Sequence, residues 1–137
     1  TNERLEAVQS LGMAEMASQR APRLLSVHAN AQETELACAM MSRLNPGGYA
    51  QATHLLGQAD IRRDLQTAFA QNPAMRSRTQ VACGSLDIIT PPQACQALAL
   101  EMGLPYINLG EVGHLCTIEA SAVIAQLLRK TVGETAC

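Results

Sequence analysis

Thr79-Gln80-Val81-Ala82-Cys83-Gly84-Ser85-Leu86-Asp87-Ile88-Ile89-Thr90-Pro91-Pro92 is the stretch on which the fold turns. Its first part is a short strand-like run closed by glycine, which predicts a strand over 79–84. Pro91-Pro92 then opens a helix, because proline suits a first turn whose N–H groups have no intrahelical partner, and Gly103 can end it. Working downstream, Pro105-Tyr106-Ile107-Asn108-Leu109-Gly110 repeats the strand-and-glycine pattern. Thr117 can cap a final helix from 118 to about 131, with Ile124, Leu127 and Leu128 inside. The reading is βαβα, an α/β unit with a parallel sheet. Two strands alone make a poor parallel sheet, which needs neighbours and helices on both faces. The unit is therefore expected to belong to something larger or to pair with itself.

Working upstream, the chain reads as helical. Leu5, Val8 and Leu11 fall near one face of a first helix that Gly12 ends or bends before a second run through Gln19, and Arg20-Ala21-Pro22 breaks the pattern. Asn30-Ala31-Gln32-Glu33 has the form of a capping box, starting a helix to about Leu44 with Leu36, Met40 and Leu44 as its buried stripe. Asn45-Pro46 reads as a cap with proline at the first helical position, opening a helix through Tyr49, Ala52, Leu55 and Leu56.

With 137 residues, 47% of them hydrophobic, the chain can bury one sizeable core. A net charge of −2 leaves no electrostatic footprint for nucleic acid or an anionic membrane. The longest uncharged stretches, 102–110 and 120–128, fall short of a membrane span. The opening TNERLEAVQ has neither an initiator Met nor the order of a signal peptide, so a fragment or trimmed chain is expected. Five cysteines, at 38, 83, 95, 116 and 137, form no C-x-x-C pair and no Cys/His metal spacing; they read as free, mostly core-packing thiols in a reducing cytoplasm. No cofactor or metal is expected.

Working residues of open α/β sheets gather beyond the carboxyl ends of the strands. The first such loop presents Asp87, and the second, Gly110-Glu111-Val112-Gly113-His114-Leu115, presents His114. A carboxylate that accepts from an imidazole N–H fixes its tautomer and stabilises the imidazolium formed when the other nitrogen takes a proton. That is the acid and base of a triad, and the order Asp then His is the order that follows the serine in α/β-hydrolases.

The stretch V-A-C-G-S-L-D-I-I-T-P-P is similar to the G-x-x-D-x-x-T-P-P segment of α/β-hydrolases, and G-E-V-G-H-L-C-T-I-E to their final G-H loop. Gly47-Gly48-Tyr49, Asp60-Ile61-Arg62 and the Gly12-Met13 helix resemble the helical cap and re-entry segment of the 3-oxoadipate enol-lactonase branch and its ester-cleaving relatives. The resemblance implies a partial α/β-hydrolase fold: a helical cap over 1–58, then the C-terminal portion of the core over 59–137, its last two strands and helices within 79–132. It implies Asp87 as triad acid, His114 as triad base, and a small-molecule ester or lactone as substrate. Two parts of the pattern are absent: there is no G-x-S-x-G and no oxyanion-hole loop. A serine nucleophile would come from an N-terminal half outside this chain, and sibling families put Asp in that place.

Other side chains have plainer readings. Ser85 turns the backbone of the acid loop. Glu119 complements the dipole of the last helix. His28 and His54 pack or face solvent, and Arg62 and Arg63 lie on a solvated helix face, although Arg also suits the carboxylate of an acidic lactone. Met13, Met16, Met40 and Met41 fill core gaps or line a soft apolar pocket. Two functions compete with the split hydrolase: a non-catalytic fragment or self-associating module, and a thiol hydrolase using Cys116 or Cys83.

Overall fold

The structure, a computed structural model, describes residues 2–132, with side chains from 10 to 130. The readings placed on Leu5, Val8 and Cys137 lie outside the described side chains. Helix α1 (Asn2–Leu24) kinks at Gly12 and continues through Pro22. The expected break at Arg20-Ala21-Pro22 is therefore corrected. Pro22 sits in the last turn, where it forfeits one backbone bond, and fully buried Ala21 next to it packs with Ala37 of α2 (Ala31–Ser42). Packing outweighs the lost bond.

The capping box of α2 is formed: the Glu33 amide donates to Asn30 Oδ1 at 3.0 Å, and the Asn30 amide donates to Glu33 Oε2 at 2.8 Å. Its expected buried stripe is corrected. Leu36, Met40 and Leu44 are all exposed, and the helix buries Ala37, with Cys38 and Met41 packed beside it. A close α1–α2 contact needs a small side chain at its centre, which rotates the face by one position. Helix α3 (Pro46–Gln58) starts as expected, with the Gly48 amide on Asn45 Oδ1 at 3.0 Å. Leu55 and Leu56 face outward.

Helix α4 (Ile61–Gln71) is capped by Asp60 and followed by a 3-10 turn (Pro73–Arg78). Strand β1 (Val81–Cys83) pairs in parallel with β2 (Tyr106–Asn108), Val81 opposite Tyr106. Both are shorter than the runs 79–84 and 105–110. Between them lies α5 (Pro92–Met102), ended by Gly103 at φ 62°, the left-handed conformation that closes helices with glycine. Phe69, Met102 and Leu104 form the core beneath the sheet, and the Arg76 guanidinium covers the Phe69 ring at 4.6 Å while donating to the Met102 carbonyl.

The last helix is two. A short α6 (Cys116–Glu119) and α7 (Ser121–Val132) meet at Ala120, whose φ of −127° and ψ of 37° interrupt the helix. Leu115, not Thr117, precedes α6, and no side chain caps it. Ile124 and Leu127 are half-buried, but Leu128 is exposed. The described chain is mostly helical with a two-stranded parallel sheet, an α/β arrangement. No helix among the described residues is long and apolar enough to cross a membrane.

Candidate active site

The parallel pairing brings the ends of β1 and β2 together, so the loops that follow them must pack on one another. Ser85 and Leu86 amides donate to the Gly110 and Val112 carbonyls at 2.8 and 3.1 Å, and Ser85 Oγ adds a third bond, to the Gly110 carbonyl at 2.9 Å. Ser85 thus serves the backbone, as its loop position implies. Two glycines permit the contact: a Cβ on Gly84 would stand 2.0 Å from the Val112 oxygen, and one on Gly113 would stand 2.6 Å from the Leu25 carbon and the Ser26 nitrogen.

Docked in this way, the loops set Asp87 Oδ2 2.9 Å from His114 Nδ1. Asp87 is 7% exposed, while the His114 side chain is 38% exposed. Asp87 Oδ1 accepts from the Ile89 and Thr90 amides at 2.8 and 2.9 Å, so the residue also fills its plainer role as a turn former. Burial pushes its carboxyl up, but the Thr90 amide, His114 and the Ile89 amide together outweigh burial and hold it below the ordinary value. An ionised carboxylate only accepts, so Nδ1 carries the hydrogen, and Nε2, on the opposite side of the ring, keeps the lone pair that can take a proton. The pair has the geometry of a general base with its orienting acid.

Glu119 stands in the first turn of α6, as expected, but the long-range role of its carboxylate is one that sequence reasoning missed. The Ser26 amide donates to both of its oxygens at 3.1 Å, Ser26 Oγ donates to Oε1, and the Gly113 amide donates to Oε2 at 2.9 Å. Its carboxylate therefore ties the segment after α1 to the residue preceding His114, and the Leu115 amide, bonded to the Leu24 carbonyl at 2.9 Å, runs parallel to this tie. A partner 93 residues away leaves no local signal at Glu119.

The other singled-out residues form no hydrogen bond with the pair, although the Cys83 and Cys116 thiols lie near enough to feel the Asp87 charge. Arg62 Nε bonds Glu101 at 2.7 Å on an exposed surface, and exposed His28 stands 3.8 Å from Glu111. Burial raises the Cys83 thiol to about 12 and pushes Cys116 up as well, so neither site favours a thiolate. Met13 and Met16 are core, whereas Met40 and Met41 line an apolar groove of about 170 Å³ with Ala37, Leu44, Leu115 and Ile118. A wider cleft of about 420 Å³ opens beside Asp87, bordered by Leu25, Ser26, Val27, Leu86 and Ile88. Among the described residues no group of three or more His, Cys, Asp and Glu side chains is arranged to hold a metal ion. Comparison with protein-family models, with curated proteins and with solved structures finds no match.

Proposed function

We propose that this chain is the C-terminal part of an α/β-hydrolase that cleaves an ester or lactone, with Asp87 as acid and His114 as base of a triad whose nucleophile lies on another polypeptide segment. The observation that carries the reading is the 2.9 Å contact between buried, doubly amide-bound Asp87 and His114 Nδ1. His114 Nε2 would take the proton of the attacking hydroxyl and return it to the leaving oxygen, while Asp87 stabilises the transient imidazolium. The apolar groove that begins at Leu115, next to the base, suits the uncharged part of such a substrate. Free thiols at Cys38, Cys83, Cys95 and Cys116 fit a reducing cytoplasm.

The test has two arms. A fluorophosphonate probe is expected to leave this polypeptide unlabelled by itself and to label the serine of a G-x-S-x-G segment in its native assembly. In that assembly His114→Gln should lower ester turnover by roughly a thousandfold or more, as loss of a triad base does elsewhere. Covalent labelling of this chain, or turnover indifferent to His114→Gln, would refute the reading. A second reading, a non-catalytic self-associating module, is favoured by Leu55, Leu56 and Leu100, which stand exposed on helices. Native mass spectrometry separates the two: a mass containing a serine-bearing chain supports the hydrolase, and a homo-oligomer alone supports the module.

A further inference from the structure

Glu119 spends its carboxylate on two segments that also meet through the Leu115 amide on the Leu24 carbonyl and the packing of Leu25 with Leu115. Ser26 follows α1, and Gly113 immediately precedes His114. The two meet so closely that Gly113 admits no Cβ against the Leu25 and Ser26 backbone. A contact this tight leaves the buried Gly113 and Ser26 amides turned away from water, where an amide without a partner is destabilising. One carboxylate with two oxygens satisfies both amides and the Ser26 hydroxyl together. The helix break at Ala120, just after Glu119, separates α6 from the course of α7.

We infer that Glu119 is a positioning residue for His114: through the Gly113 amide it fixes the backbone from which the imidazole reaches Asp87, and through Ser26 it ties that backbone to the end of α1. The inference rests on the triad reading. It assigns Glu119 no contact with substrate. A neutral amide at this position keeps the shape but loses the charge and one accepting oxygen, and its N–H₂ group must turn toward the Ser26 hydroxyl or an amide N–H, so Gln weakens the tie.

The experiment is imidazole-detected NMR on the ¹⁵N-labelled chain. In the wild type the His114 Nδ1 proton, bonded to Asp87, is expected as a solvent-protected signal that Asp87→Asn removes. In Glu119→Gln, protection of that proton should fall about tenfold or more, the scale of a hydrogen bond to a charged group. The amide signals of β1, β2 and α5 should stay in place. In Ser26→Ala, which retains the Gly113 bond, most of the protection should survive. Unchanged protection in a folded Glu119→Gln chain would overturn the positioning role and leave the triad reading standing. A wild type without the Asp87-dependent signal would overturn both. Should Glu119→Gln not fold, amide exchange in the unaltered chain decides: Gly113 and the His114 Nδ1 proton slow together if the tie positions the ring, and a freely exchanging Gly113 beside a protected Nδ1 proton refutes it.

Discussion

Asp87 divides its oxygens between a turn and an imidazole, and all three bonds favour the charged form. Its folded-state carboxyl lies below the ordinary 3.8 that it takes in the unfolded chain. A depressed carboxyl contributes stability that is fully present above the unfolded value and is lost as pH falls through the folded one. The stability difference between wild type and Asp87→Asn should therefore shrink as pH is lowered from about 5 to about 2, which urea titrations across that range would measure. A difference independent of pH would mean that the carboxylate is not held. Gly84→Ala belongs to the same scale. Its new methyl would overlap the Val112 carbonyl, and both loops are backbone, so the chain should lose about 1–3 kcal/mol by chemical denaturation together with the protected His114 proton. Asp87 and His114 were legible because each stands at a fixed offset after a strand, among residues that advertise the turn. Glu119 was not, because its meaning depends on Ser26, which the fold alone brings near.

The ends of the elements follow from short-range chemistry. Asn30 and Asn45 accept from amides three residues on, Pro92 opens α5 and Gly103 closes it, each using only neighbours that the sequence already displays. Asn30→Ala should accordingly cost about 0.5–2 kcal/mol, read from the denaturation midpoint at constant slope. Buried faces are harder to read. The row Leu36, Met40 and, just past the end of α2, Leu44 has the better apolar spacing, yet it is Ala37 that α2 buries against Ala21 and Leu25. Leu36→Gln is therefore expected to shift stability by less than about 0.5 kcal/mol, and Ala37→Leu to cost about 1–3 kcal/mol by overpacking. The opposite order in thermal melts would restore the stripe to the core. The same dependence on packing hid the break at Ala120: periodicity runs on through 118–131, but Glu119 is drawn back toward Ser26 and Gly113.

At the scale of the molecule, two parallel strands of three residues each carry the site, and among the described residues the sheet has no third strand on either side. Val81 and Cys83 spend their ladder groups on β2, with the Val81 amide on the Pro105 carbonyl at 2.9 Å and the Leu109 amide on the Cys83 carbonyl at 3.0 Å. Alternation along a strand then turns the amide and carbonyl of Ala82 toward the opposite edge, where a further strand would pair. A two-stranded sheet is marginal in water, and here it rests on one core cluster around Phe69. An added strand would lengthen the sheet and bring a new carboxyl-end loop alongside those of Asp87 and His114, the location that a nucleophile requires. Amide exchange tests this without altering the chain. In dilute isolated material Val81 and Cys83 should be protected and Ala82 should exchange at least about tenfold faster, since its amide lacks a ladder bond. In the native assembly Ala82 should slow to match its neighbours. If Ala82 instead stays fast while ester turnover is present, no strand adds at the open edge of β1, and the proposed nucleophile reaches His114 by another route.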